Sequence, residues 1–419
     1  EQRHNKLQHR KRIKSQERIW HSQVPQTDTR TALQKNKERR SQIQCCKTET
    51  GHGEEDFCIN AENFQIVMIS LSGFGYEKTL KNPTKAFADT WKSKSFINGP
   101  AVKKFEKQFA EYCETDSCVA LSSCTSALHL SLLALGVGPG DEVITVPYTW
   151  VSTVEVIKQV GATPIFADIE LNDMCIDPKE VAKKISKKTK AIIGVDLYGN
   201  VCDIDELKKF NIPVIQDSAQ STGAFYKDKR VGSVADLTCF SFYPTKNLSC
   251  WGDAGAVTGD EKYLKIIRQL RNHGQSDRFR LNMVGWNARM DSIQAEVLIN
   301  KLPELDKHNA RRREIATQYN GNLHRFVEIP VQNANSTHVY HQYVIKHERN
   351  KDIEMALMDR GIQSRRYYPI PLHKTETYKD NGSYANSEHC SSAGLAIPVH
   401  QYLTDTEVSS IIKAIKEAI

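Results

Sequence analysis

What the chain lacks narrows the field first. Its 419 residues contain no run of about 18 consecutive apolar residues, so no membrane-spanning helix is expected. The N-terminus is polar and basic and has no apolar leader core, so no secretory signal is expected there. The 11 cysteines are odd in number and show no paired metal-ligand spacing; Cys45–Cys46 is a lone doublet. Neither a zinc site nor a disulfide frame follows, and the thiols read as reduced and mostly packed, in a cytoplasmic protein. No internal repeat is visible. What remains is ordinary soluble composition, 39% hydrophobic and 26% charged, enough for one large and one small domain.

The formal charge of +7 is not spread over the chain. Residues 1–50 hold 13 Lys/Arg and 5 Asp/Glu, a difference of +8, so the other 369 residues sum to −1. "HRKRIK" and "KNKERR" lie in a Gln-rich segment with almost no apolar periodicity. Such a segment buries too little surface to offset its ordering entropy. Residues 1–67 are therefore read as a basic, disordered extension, foreign or accessory to the working protein. A nucleic-acid arm is the lesser reading of those basic runs. The globular pattern opens near Met68, in "MISLSGFGYEK".

From Thr90 onward, strands and helices alternate. "VKKFEKQFAEYC" places Phe105, Phe109 and Tyr112 on one helical face. "CVALSS", "DEVITVP", "TPIFADI", "KAIIGVDLYG", "IPVIQDSA" and "LTCFSFYP" read as short apolar strands. "CTSALHLSLLALGV", "WVSTVEVIKQVG", "DPKEVAKKI" and "DIDELKKF" read as helices between them, the second closed by Gly161. Strands apolar on both faces predict a mostly parallel sheet covered by helices on both sides, an α/β fold. "RMDSIQAEVLINKLPELDKHNARRREIATQYNGNL" is expected to be one long helical stretch. After it the pattern changes to a smaller C-terminal α+β domain, so the expected domains are 68–314 and 315–419.

In open α/β sheets, ligands gather at the carboxyl ends of strands. "IPVIQD" brings Asp217 to such an end, where a carboxylate serves as metal ligand, base or partner of a protonated ring nitrogen. "CVALSS" brings Ser122 and Ser123 to a helix start with Cys124, Thr125 and Ser126, an anion cradle of amide N–H groups and hydroxyls. "FSFYPTKNLSCWGDAGAV" carries Ser241 and then Lys246 between two apolar runs, Phe240–Tyr243 and Ala254–Val257. Lysine is seldom buried unless paired or used. A lysine near an anion site, with an aspartate on a neighbouring strand, suits a carbonyl cofactor that forms a Schiff base.

Seven stretches carry a resemblance: "INGPAVKKFE", "LSSCTSALHLSLLALGVGPGDEVITVPYTWVSTVEVI", "VIQDSAQSTGAFYKDKRVGSVADLTCFSFYPTKNL", "RNHG", "GWNARMDSIQAEVLINKL", "YHQYVI" and "YYPIPLH". In this order they resemble the DegT/DnrJ/EryC1/StrS sugar aminotransferases, of the fold type I, pyridoxal-phosphate (PLP) class, over roughly residues 68–419. The resemblance implies a PLP-binding domain at 68–314 and roles for single residues. Lys246 matches the Schiff-base lysine, Asp217 the partner of the pyridine nitrogen, and Gln220 a residue near the phenolic oxygen. Trp150 matches an aromatic lying over the ring, and Thr125, Ser126 and Ser241 match phosphate contacts. Asn287 matches a residue that reaches the other subunit's cofactor, implying a homodimer with shared sites.

Plainer readings stand beside these. Trp150 also reads as a core aromatic at a helix start, Thr125 and Ser126 as helix caps, and Asn287 as a turn residue after Gly285. His373 lines the substrate site or is a satisfied core histidine; His129 is helix packing. Cys124 stands where the family usually has Gly, so its side chain is expected to crowd the phosphate. Cys250 and Trp251 stand where smaller residues are common. Lys246 argues against the dehydratases of this family, which carry His there.

The implied activity is amino transfer from an amino acid, with glutamate expected, to a keto sugar, expected to be nucleotide-linked, in amino-sugar or surface-polysaccharide synthesis. A cyclitol-ketone aminotransferase and a catalytically idle PLP-binding regulator are the alternatives.

Overall fold

A computed structural model describes residues 69–73, 83–277 and 279–419; the segment expected to be disordered, residues 1–67, lies outside the described residues. In chain order the elements are α1 (Pro83–Ser93), α2 (Pro100–Tyr112), β1 (Cys118–Leu121), α3 (Cys124–Ala134), β2 (Glu142–Thr145), α4 (Ser152–Gln159), β3 (Thr163–Phe166), α5 (Pro178–Lys184), β4 (Thr189–Val195), α6 (Ile204–Lys208) and β5 (Val214–Asp217). There follow β6 (Phe225–Tyr226), β7 (Lys229–Arg230), β8 (Leu237–Ser241), β9 (Gly255–Gly259), α7 (Glu261–Leu270), β10 (Gln275–Asp277), β11 (Arg280–Leu281), α8 (Ser292–Lys301) and α9 (Leu305–Leu323). The chain closes with β12 (Ser336–Thr337), β13 (Tyr343–Lys346), α10 (Asn350–Met358), α11 (Ala385–Ala393), β14 (Gly394–Ile397) and α12 (Asp405–Ala418).

Seven strands form the central sheet in the order β1-β9-β8-β5-β4-β2-β3. Every neighbouring pair from β8 to β3 is parallel; β9 alone runs against both its neighbours. The expected mostly parallel sheet is therefore present, with one reversed strand. Alternate residues of a strand feed opposite cores. Ala120, Ile144, Ile192, Val214 and Phe240 join the aromatics of α2 on one face. Val119, Val143, Ile193, Ile215 and Cys239 join α3, α4 and α7 on the other. That is why these strands read as apolar on both faces.

Register decides what the sheet presents at its carboxyl edge. Gly255 of β9 pairs with Leu121 of β1 on one side and Ser241 of β8 on the other. Asp217 of β5 pairs with Val195 of β4 and Cys239 of β8. The chain after β1, the end of β5 and the end of β8 thus emerge side by side.

A separate apolar cluster unites α9, α10 and α12 with β13 and β14. Helix α12 opens with a capping box in which Thr404 and Glu407 satisfy each other's backbone N–H. The helical stretch expected to be continuous is broken: α8 ends at Lys301, a single 3-10 turn holds Pro303, and α9 begins at Leu305. Proline cannot donate to the helix ladder, which accounts for the break. Helix α9 runs across residue 315. His129 packs against Trp286, with ring centroids 5.2 Å apart, as the packing reading has it.

Candidate active site

The site begins with a close approach of two backbones. A Cβ on Gly255 would lie 2.3 Å from the carbonyl carbon of Ser123 and 2.5 Å from the amide nitrogen of Cys124. Only glycine lets β9 pass this near the start of α3. Ser123 caps that helix, its Oγ accepting from the Ser126 amide at 3.0 Å. Ser126 Oγ shares hydrogen bonds with Ser122 Oγ at 3.0 Å and Ser123 Oγ at 3.1 Å. Thr125 Oγ1 donates to Ser152 Oγ at 2.9 Å, joining the first turns of α3 and α4. Hydroxyls and orphan amides converge here, at the positive end of a helix dipole.

Asp217, the last residue of β5, is buried beside this cradle. Its Oδ2 accepts from Thr153 Oγ1 at 2.8 Å, and its Oδ1 from the Ala219 amide at 3.2 Å. Cys124 Sγ points a weak donor at the same Oδ1, 3.9 Å away. Burial pushes the Asp217 carboxyl above the usual range; Thr153, Ala219 and the positive charge of Lys246 push the other way. The Cys124 side chain, expected to crowd the phosphate, has its sulfur turned toward Asp217.

Lys246 follows β8 on a turn in which its amide donates to Tyr243 O at 2.8 Å. The residue is half-buried. Among the described residues nothing stands within hydrogen-bonding distance of Nζ. Burial lowers its pKa, against the opposing pull of Cys124 and Asp217. An amine with three donors and no partner, beside a buried carboxylate, is a group held in reserve.

The remaining residues singled out in the sequence fall as follows. Gln220 is buried, with Oε1 accepting from the Tyr198 amide at 2.8 Å and Nε2 donating to Tyr368 Oη at 3.3 Å, which fixes its amide. Ser241 is buried at the end of β8, its Oγ accepting from the Tyr243 amide at 3.4 Å. Trp150 is no core residue: it is 58% exposed, with its ring 6.2 Å from that of Tyr368. Asn287 is exposed and accepts from Arg289 Nε at 3.0 Å. His373 is buried, its Nε2 3.1 Å from Glu388 Oε1 and its ring against Tyr384. The structure thus gathers Ser123, Cys124, Ser126, Asp217 and Lys246, with Thr125 on the same first turn. Among the described residues no hydrogen bond or ring contact joins His373 to them.

Three functional neighbours escaped sequence reading. Thr153 is an undistinguished residue in the first turn of α4. Asp196, just after β4, is fully buried and takes five hydrogen bonds. Oδ2 accepts from Gln216 Nε2 at 2.9 Å, Ser218 Oγ at 2.9 Å and Ser221 Oγ at 2.6 Å. Oδ1 accepts from the amide of Cys202 at 3.1 Å and its thiol at 3.3 Å. This knot pins both sides of the turn carrying Asp217 and Gln220; burial raises the Asp196 carboxyl to about 6. His341, in "YHQY", is pushed well down by burial and then by the charges of Lys246 and Arg312; its Nδ1 is buried without a partner. A groove of about 890 Å³ lined by His324, Glu328, Lys346 and His389 shares no residue with the site.

An unpaired lysine and a buried aspartate, set at the carboxyl edge of an α/β sheet beside a helix-end anion cradle, suit a fold type I, PLP-dependent transferase. The comparisons agree. The family model of the DegT/DnrJ/EryC1/StrS aminotransferase family matches residues 78–416. The dTDP-3-amino-3,4,6-trideoxy-alpha-D-glucose transaminase of Streptomyces venezuelae is 34% identical over 368 residues, 85% of this chain and 97% of its own length. The UDP-2-acetamido-2-deoxy-3-oxo-D-glucuronate aminotransferase of Pseudomonas aeruginosa is 36% identical over 327 residues, 76% of this chain and 91% of its own. The crystal structure of NtdA from Bacillus subtilis with bound cofactor PMP aligns with a TM-score of 0.77 at 28% identity, covering 82% of each chain. The chain belongs to the DegT/DnrJ/EryC1/StrS aminotransferase family and is a PLP-dependent transaminase.

The residues present fit that cofactor. The unpartnered Lys246 amine, its pKa lowered by burial, suits an aldehyde's need for a nucleophile, the Asp217 carboxyl that of a ring nitrogen for an acidic partner, and the hydroxyl-lined helix start that of a phosphate for donors.

Proposed function

We propose that this enzyme moves an amino group from an amino acid, with glutamate the expected donor, to the keto group of a nucleotide-linked sugar. The amino acid leaves as its oxo acid and the sugar carries the amine, so the two half-reactions balance. The observation that carries the reading is the unpartnered Lys246 amine beside Asp217. The names of the relatives, which specify dTDP- and UDP-linked amino sugars, support the substrate class.

PLP, when bound, supplies an electrophilic carbonyl and an electron-withdrawing ring. Thr125, Ser126 and Ser241, with Ser123, would hold its phosphate. Asp217, kept ionised by Thr153 and the Ala219 amide against the cost of burial, would hold its ring nitrogen protonated. Gln220, its amide locked between Tyr198 and Tyr368, would face the phenolic oxygen, and Trp150 would cover the ring. Burial lowers the pKa of Lys246, which favours the neutral amine, the form that takes up a proton.

The active unit in this reading is a cytoplasmic homodimer. Two exposed apolar groups support self-association: Phe87 and Trp91, stacked 6.2 Å apart on α1, with Phe96 and Ile97 after it, and Phe279, Leu281, Val284 and Trp286 around β11. Asn287 follows the second group and would reach the partner's cofactor. Among the described residues eight cysteines are buried and free, which suits a reducing compartment.

Mass spectrometry of products from a panel of dTDP- and UDP-linked keto sugars and inosose, with L-glutamate as donor, tests the substrate. An aminated nucleotide sugar is expected. Amination of inosose alone would move the enzyme to the cyclitol class, and no amination with an intact PLP–Lys246 bond would favour the regulatory alternative.

A further inference from the structure

Lys246 Nζ has no side-chain partner among the described residues, so its aim depends on how its backbone is held. The residue after it supplies that hold. Asn247 is buried, and its Nδ2 donates to Asn309 Oδ1 at 2.8 Å and to Val339 O at 3.0 Å. Its own Oδ1 is buried and has no partner, so Asn247 is fixed from one end only.

Asn309 is the centre of this arrangement. It lies inside α9 at 1% exposure, in the charged stretch "DKHNARRRE". Its Nδ2 donates to Thr222 O at 3.1 Å while Oδ1 receives Asn247. Thr222 lies two residues after Gln220, in the turn that follows Asp217. Asn309 therefore ties the Lys246 turn to the Asp217–Gln220 turn, and Asn247 adds the segment leading to His341. The amide orientations are forced. Thr222 O and Val339 O are both acceptors, and only the assignment with Nδ2 of each asparagine facing its carbonyl satisfies both.

Close packing at the same point supports the assignment. Gly223 has φ +87, and a Cβ there would lie 2.5 Å from Asn309 Nδ2. The turn approaches this one side-chain nitrogen as closely as a residue without a side chain permits. Asparagine is a poor helix interior residue, and an apolar side chain would satisfy the core alone.

Resting on the reading of Lys246 as the cofactor lysine, we propose that Asn309 is a positioning residue for that lysine. It acts through Asn247 to set where Nζ stands relative to Asp217 and Gln220. The substitution affects no group that touches the cofactor, so its effect is read on the lysine.

The test uses full-length protein stripped of cofactor and mixed with PLP by stopped flow. The rate of formation of the covalent lysine–PLP bond and the pH midpoint of its visible absorption are measured, with thermal midpoints alongside. Asn309→Ala and Asn247→Ala are each expected to slow bond formation about tenfold and to shift the absorption midpoint, as the loss of a buried hydrogen bond at a reacting group would. The double variant is expected to be slowed by less than the product of the two single effects, because the Asn247–Asn309 bond is lost in both.

Unchanged rate and midpoint in folded Asn309→Ala would overturn the proposal, as would defects that multiply in the double variant. If Asn309→Ala does not fold, Asn247→Ala decides. A slowed bond at an unchanged thermal midpoint supports the proposal, and an unchanged rate overturns it. Borohydride trapping and peptide mapping of the wild-type protein separate this from its premise: a pyridoxyl group on another lysine would sink the assignment of Lys246 itself.

Discussion

Thr153→Val isolates what keeps Asp217 ionised. Valine has nearly the shape of threonine, so packing in the first turn of α4 is retained. What is lost is the 2.8 Å bond from Thr153 Oγ1 to Asp217 Oδ2, together with the 3.0 Å bond to Thr149 Oγ1 that the control below removes alone. Among the influences that oppose the burial of Asp217, this bond is the largest. A hydrogen bond to a charged group contributes about 1.5–3 kcal/mol. Its removal should shift the balance of protonated to ionised Asp217 by about tenfold to a hundredfold. The sign follows from the chemistry: the carboxylate is present above its pKa and lost as pH falls through it. Because burial already raises that pKa, removing a donor moves the loss to higher pH still. PLP should therefore bind more weakly at neutral pH, and the acid limb of the pH–rate profile should move upward. PLP titration of stripped protein by fluorescence, with a pH series of single turnovers, measures both. Thr149→Val is the control, since Thr149 Oγ1 bonds Thr153 Oγ1 at 3.0 Å but has no bond to Asp217. A folded Thr153→Val enzyme with wild-type PLP affinity and an unmoved acid limb would refute the reasoning.

Gly255→Ala should drive a methyl into the Ser123–Cys124 backbone, lowering the thermal midpoint and weakening PLP binding by more than about tenfold; equilibrium dialysis reads the latter. Asp196, raised from 3.8 to about 6, makes folding bind a proton between those values, so its contribution to stability falls by about 3 kcal/mol as pH rises through that window. Denaturant unfolding of Asp196→Asn should accordingly gain on wild type as pH rises from about 4 to about 6, and a pH-independent difference would rule out Asp196 as the group that titrates. Mixing Asn287→Ala chains with Lys246→Ala chains should restore activity in heterodimers by placing both defects in one site. Proven heterodimers without activity would show that the sites are not shared.

The Asp217 carboxylate, the Lys246 turn and the cradle at Ser123–Ser126 were all legible in the sequence for one reason: each sits where an apolar strand ends, and strand ends are marked by local composition. The mostly parallel sheet was legible in the same way, because strands buried on both faces lose their polar alternation. The break at Pro303 was legible in principle, since proline's missing donor is a local property. The sequence reading missed it because the hydrophobic spacing continues on both sides.

Other features belong to contacts between distant segments, and no local pattern encodes them. Asn309 meets Asn247 across 62 positions and Thr222 across 87. Thr153 meets Asp217 across 64, and Cys124 turns to Asp217 across 93. Trp150 is exposed and His373 is held by Glu388; their residue types suit a core, a ligand or a surface equally. A side chain's type states which bonds it can make. Only the packed chain, by excluding water and leaving particular atoms as the available partners, decided which bonds were made: it left Lys246 unpaired, held Asp217 from two sides, and put Asn309 between the two turns.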